Sequence, residues 1–351
     1  MNEKRNSSLE LLRIIAMIFI VASHYSVHGG FELNSINFIY NKVLLQMSTL
    51  GSLGVNIFIL ISSYFLVSKE FDIKRVVKIM LQVLFYSLVI YIIFVLFGNI
   101  EFSIKSLITN CFPILFNNYW FATTYIILYI LSPFLNKIVK LLKKQDLKKL
   151  IIVIFVMESI LPTISLQNFS INSIIDFILM YMIASYIRFY SKDIILNEKK
   201  VLIITIFIIL TLVLCLDLLF PKFSSYYIFL FHRNSPIMIV IAFCIFLLFL
   251  NKSFYSSFVN KIAKFTFGVY LIHDNPFIRN YIWNNIFKTS QYANSPFLIL
   301  HLFLTVIIIF VICILIDYIR YISLNKIMNI IAIKVEKIYL KLCSKEKKFK
   351  I

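Results

Sequence analysis

The chain has 351 residues, of which 61% are apolar and 15% carry a formal charge, against about 25% charged in a soluble protein. With a mean hydropathy of +0.90, these values exclude a water-soluble enzyme built around one core. Lys and Arg outnumber Asp and Glu by 35 to 16, an excess that suits nucleic acid in a soluble chain and the positive-inside rule in a membrane protein.

Apolar stretches long enough to cross a bilayer recur near 9–27, 43–67, 76–98, 119–136, 150–164, 171–190, 201–220, 235–250, 265–283 and 296–319. They predict an all-α integral membrane protein, with about ten transmembrane helices over 1–323 and a basic amphipathic tail over 324–351. With the N-terminus inside, the cytoplasmic segments are 1–13, 68–78, 137–149, 188–200, 251–264 and 320–351, and they hold 29 of the 35 bases. Only Lys42, Lys105, Lys222, Arg233, Arg279 and Lys288 fall in outer loops. That asymmetry predicts cytoplasmic termini and an even number of spans, and it leaves no call for nucleic acid. The connections are too short for a soluble catalytic domain, so any chemistry belongs inside or at the edge of the bundle.

Lys4 and Arg5 ahead of an apolar run resemble a signal peptide, but Glu10 and Arg13 interrupt the run and no A-x-A site follows. The five cysteines are scattered with no C-x-x-C pair, so neither a disulfide framework nor a metal is expected. Residues 325–351 alternate apolar and basic side chains at helical spacing, the pattern of an interfacial helix on an anionic leaflet.

Charged groups at membrane depth need a reason, and the densest set lies on the first helix: Glu10, Arg13, Ser23 and His24, with His28 just beyond. Arg13 and His24 are eleven residues apart, three turns plus about 20°, so they share a face roughly 16 Å apart along the axis. Snorkelling and interfacial packing explain either residue alone; the shared stripe points to function. Lys74, Arg75 and Lys78 cluster cations at the start of the third helix, which suits a cytosolic polyphosphate and equally suits ordinary anchoring.

Glu158 and Asp176 lie in the outer halves of their spans. Either suits a partner that orients His24, and either suits a neighbouring Tyr or Lys. Asp217 falls near an outer end, Asp317 and Arg320 are spaced as a local pair, and His301 reads as a hydrogen-bonded bundle residue. Outer loops add Phe231–Pro236 and His273–Pro276, with Arg279 and Trp283 beyond. Arg233, His273, Asp274 and Arg279 beside an aromatic face suit a hydroxyl-rich sugar; the same residue types also make turns and caps. Trp120, with Tyr119 and Tyr125, fits an interfacial belt or a sugar platform. No P-loop, G-x-G-x-x-G, H-E-x-x-H or G-x-S-x-G occurs.

Arg13-x10-His24 resembles the signature of the membrane acyltransferase 3 family, the bacterial O-acyltransferases of cell-surface glycans. Ile57–Tyr64 is similar to the family's aromatic-rich run ending S-G-[FY], and Lys74-Arg75-x-x-Lys78 to its R-R-x-x-R stretch. Trp120-Phe121 through Ser132-Pro133 resembles its W-F…Y-L-x-x-P helix, and Phe267–His273 its G-[VI]-Y-L-I-H run. Ser63 stands where Gly is usual, and Lys74 and Lys78 replace arginines, so phosphate contacts there are monodentate. The segments at 26–30, 233–236 and 273–274 look most like capsule and exopolysaccharide acetyltransferases.

The resemblance implies transfer of an acyl group, usually acetyl, from cytosolic acyl-CoA to a sugar hydroxyl at the outer face of a bacterial plasma membrane. It implies acetyl-CoA as donor, a glycan or lipid-linked oligosaccharide as acceptor, and a polysaccharide assembly complex as a setting. Arg13, Lys74, Arg75 and Lys78 then lie where CoA phosphates would be, and His24 where the acceptor would be. His24 serves either as general base or as acyl carrier. The rivals are a polysaccharide flippase, a glycan polymerase and an inactive structural subunit. The absence of a visible repeat, loops of at most about twenty residues, and the intact Arg13 and His24 weigh against them in turn.

Overall fold

The computed structural model describes residues 6–165, 173–190, 200, 202–208, 211 and 232–348, and among these there are helices and turns but no strand. Helix α1 (Ser8–His28) leads to α2 (Ile39–Ser48) and, through a 3-10 turn, to α3 (Leu53–Leu66). Then come α4 (Ile73–Leu96), α5 (Ile104–Cys111) and α6 (Trp120–Leu141). Helix α7 (Lys144–Phe155) runs through a π turn at Val156–Ile160 into α8 (Leu161–Ser165), and α9 (Ser173–Tyr190) follows. The remaining helices are α10 (Pro236–Leu250), α11 (Ser257–Ala263), α12 (Thr266–His273), α13 (Pro276–Asn280) and α14 (Leu298–Lys348).

Among the described residues, six segments are long and apolar enough to cross a membrane: α1, Ile39–Leu66, α4, α6, α9 and Leu298–Leu342. The protein is a multi-pass helical membrane protein. The apolar stretch 150–164 falls on α7 and α8, and 235–250 on the 15-residue α10. Of the expected span at 201–220, residues 202–208 and 211 are described and helical; the rest of it, with Asp217 and most of the 221–234 loop, lies outside the described residues. The stretch 265–283 is not one helix. Pro276 lacks an N–H and disfavours helix at the residue before it. Asn275 therefore turns the chain, and its side chain accepts from the Phe277 N–H at 3.0 Å to cap α13. His273 and Asp274 sit at that break, inside the bundle, rather than on an outer loop.

Helix α3 is the centre of the fold. It packs against α1, α9 and α10 and is buried along most of its length. Its approach to α1 depends on small residues: a Cβ at Gly54 would meet the Ala16 carbonyl oxygen at 2.2 Å, and one at Gly51 the Phe19 carbonyl oxygen at 1.9 Å. In lipid, where apolar burial gives no drive between helices, such close backbone packing holds them together. The start of α1 is tied to α10 and α11 by Ser8 Oγ donating to the Phe249 carbonyl (2.6 Å) and by Ser7 Oγ bonding Asn260 (3.0 Å). Pro133 inside α6 deprives the Tyr129 carbonyl of its usual donor; Ser132 Oγ supplies one at 2.7 Å.

Helix α14 covers the opposite side, against α1, α4 and α12. It carries a buried carboxylate, Asp317, whose Oδ1 accepts from Arg320 (2.5 Å), Tyr86 (2.7 Å) and Gln82 (3.2 Å). Gly268 gives it room, since a Cβ there would lie 2.2 Å from Asp317 Cγ. Gly268→Ala is accordingly expected to destabilise the bundle by about 1–3 kcal/mol through overpacking, seen as a lower unfolding temperature in detergent. At 51 residues α14 passes the expected boundary at 323/324 without a break. The tail continues this helix, held by Lys74 Nζ–Glu336 (3.0 Å) and by Phe71 against Tyr339.

Candidate functional site

The face of α1 that carries Arg13 and His24 also carries Met17 and Ile20, at i, i+4, i+7 and i+11, and all four line cavities. Around Arg13 is a cavity of about 300 Å³. Its cations are Arg13, Arg75 and Lys264, and its remaining wall comes from α3, α4, α6, Ala263 and α12, including Ser62, Gln82, Tyr125 and Thr266. Arg13 pairs with Glu10 at 2.9 Å and lies over the Phe58 ring, while Arg75 lies over Tyr129 and Lys264 over Tyr321. The basic cluster of α4 therefore divides. Arg75, Ile79 and Gln82 share the cavity face. Lys74 points instead to Glu336, and Lys78, one turn on from Lys74, shares that other face. Lys264 was not legible as a site residue, because nothing in its sequence surroundings separates it from other basic loop residues.

At the other end of the stripe, His24 opens on a small cavity of about 20 Å³ lined by Met17, Ile20, Val55, Phe58, Trp120, Phe121 and Tyr270. His24 Nδ1 is 2.9 Å from His273 Nε2 and 3.5 Å from Asp274 Oδ1. His273 Nδ1 lies 2.6 Å from the Val269 carbonyl. A carbonyl only accepts, so His273 carries its proton on Nδ1 and, when neutral, accepts at Nε2. His24 then donates from Nδ1, which leaves its Nε2 lone pair for a substrate proton. One nitrogen of Arg279, Nη2, meets Asp274 twice, at 2.9 Å from Oδ1 and donating at 3.1 Å to the backbone carbonyl. The result is a chain from Arg279 through Asp274 to His24, with His273 fixing the tautomer.

This arrangement corrects the expected partners of His24. The carboxylate beside it is Asp274, whereas Asp176 pairs with Arg233 at 3.1 Å and Glu158 lies buried in the π turn of α7–α8. Depth along a helix is readable from sequence; angular position around the bundle is not. Arg233 also bonds Ser173 Oγ (2.8 Å) and stacks 4.6 Å over Trp120, and Asn234 donates to the Glu158 carbonyl at 2.9 Å. Trp120 therefore faces the His24 cavity and a second polar cluster at once. His301 accepts or donates at 2.8 Å to Tyr25 and stacks on Tyr292.

His24, His28 and Asp274 each bring a donor atom within 4.8 Å of the others, a spacing a metal could use. His24 Nδ1 faces His273 Nε2 and Asp274 Oδ1 faces the Arg279 guanidinium, whose charge would repel a cation.

The bundle thus carries a cationic cavity and an oriented imidazole on one helical stripe, a layout that suits group transfer. Residues 6–318 match the family described as Acyltransferase domain, so the chain belongs to the acyltransferase 3 family and is a membrane acyltransferase. No curated protein and no solved structure matches the chain.

Proposed function

We propose that the protein moves an acetyl group from acetyl-CoA, bound at the Arg13 cavity, to a sugar hydroxyl of a capsular or exopolysaccharide presented at the His24 end. The observation that carries this reading is the α1 stripe, which joins three cations at one end to an oriented imidazole at the other. The 29-to-6 distribution of bases supports the Arg13 end as cytosolic and the His24 end as outward in a bacterial plasma membrane.

Arg13, Arg75 and Lys264 offer charge-assisted hydrogen bonds to the donor's phosphates. The pantetheine arm lies along α1 and brings the thioester to His24. The hydroxyl oxygen attacks the thioester carbonyl carbon while its proton passes to His24 Nε2. The attack forms the new C–O bond, and collapse of the tetrahedral intermediate restores the carbonyl and breaks the C–S bond. The proton then returns from His24 to the departing thiolate, releasing CoA as the thiol. Asp274 offsets the positive charge on His24 between those two transfers. On the acceptor side, Trp120 offers an aromatic face and the Arg233–Asp176 pair offers hydrogen bonds to sugar hydroxyls; the acceptor is a glycan or its lipid-linked precursor.

Membranes containing the protein, incubated with acetyl-CoA labelled in the acetyl group, should transfer label to envelope glycan in alkali-labile form. Membranes from a deletion strain should not. Equal labelling of both removes the proposal.

A further inference from the structure

Only two of the side chains lining the cavities at Arg13 and His24 are common to both, Phe58 and Phe121. Each wall is layered. On α1, Met17 and Ile20 belong to the His24 side and Arg13 to the other; on α3, Val55 and Ser62 divide in the same way. On α6, Trp120 and Tyr125 divide likewise, as do Tyr270 and Thr266 on α12. The two phenylalanines stand at the level where the layers change. Their rings meet edge to face at 5.9 Å, Phe58 beneath the Arg13 guanidinium and Phe121 stacked on Tyr125 and edge-on to Tyr270. Held from several sides, the pair forms a partition between donor cavity and base.

We propose that Phe58 and Phe121, with Met17 and Val55 behind them, form an acyl-length filter that admits an acetyl thioester to His24 and rejects longer acyl chains. The inference rests on the acyl-CoA reading above and adds the residues that choose the acyl group. The space beyond the partition is about 20 Å³, little more than the roughly 10–15 Å³ one water needs and far below the ~150 Å³ that takes benzene. An acetyl group brings one methyl past its carbonyl. Each further methylene meets Met17 and Val55, which are 2% and 8% exposed. Such a chain needs the wall to move, and interiors packed to crystal-like density give little.

The test uses membranes carrying the full-length protein and its native acceptor, with acetyl-CoA and butyryl-CoA as probes and alkali-labile ester as readout. The quantity compared is the butyryl-to-acetyl ratio of kcat/KM, in which the amount of folded protein cancels. One methylene in an apolar pocket is worth about 10–200-fold, so the wild type should favour acetyl by at least about 100-fold over two methylenes. Met17→Ala and the milder Val55→Ala should each raise the ratio about tenfold or more. A wild type that uses butyryl-CoA as well as acetyl-CoA overturns the filter. So does an unchanged ratio in both variants while acetyl transfer continues. A wild type that transfers neither group from CoA fails earlier, at the proposed function itself.

Discussion

His24→Ala is expected to abolish measurable acyl transfer while leaving a folded, membrane-inserted protein that still binds donor. The side chain is 19% exposed and sits at the edge of a cavity, so its loss leaves no large buried void. A general base contributes about 10²–10⁴-fold, and at the upper end only trace activity survives. Donor binding should persist because Arg13, Arg75 and Lys264 lie on the far side of Phe58 and Phe121. His301→Ala is the contrast: it removes a partner of Tyr25 and Tyr292 and should lower yield and activity together. Initial rates normalised to folded protein separate the two cases. Normal transfer by well-expressed His24→Ala would end the base assignment.

Asp274→Asn is expected to produce the second large loss, about 10²–10³-fold in kcat. The amide keeps the size of the carboxylate and loses its charge. The positive charge that His24 acquires during transfer is then uncompensated, and Arg279, a half-buried cation, loses its ion-pair partner. Breaking a fully buried pair costs about 3–5 kcal/mol of stability, and less here because Arg279 is 28% exposed, but activity alone still does not separate a chemical role from a structural one. The double variant Asp274→Asn with Arg279→Gln makes that separation. Removing both charges should recover much of the stability, because no lone ion remains, while kcat stays low. Recovery of kcat alongside stability would show that Asp274 serves folding rather than His24.

The all-helical membrane class was legible because composition and span length are properties of the chain alone. The Arg13–His24 stripe was legible for the same reason: both residues lie on one helix, whose 3.6-residue repeat fixes their relative direction. What lay across helices was not. Glu158 and Asp176 sit at a suitable depth, yet the side chain that reaches His24 comes from a loop created by Asn275-Pro276 at the end of α12. The residues at 273 and 274 were read as outer-loop sugar ligands; the helix break that turns them inward depends on how α12 packs against α1 and α14. Lys74 and Lys78 looked equivalent to Arg75 until α14 continued far enough to bring Glu336 to Lys74. Phe58 and Phe121 lie in the family-like runs at 57–64 and 120–133, but nothing there marked them as a pair facing each other, since aromatic residues at helical spacing are ordinary in a core.

The most direct test of the account is an NMR comparison of purified surface glycan from three strains: wild type, deletion, and deletion complemented with His24→Ala. The account predicts resonances of ester-linked acetyl groups in the wild-type glycan, lost on mild alkali, and their absence from both other samples while the His24→Ala protein is present in the membrane. Chemically identical glycan from all three strains under conditions of expression would contradict it.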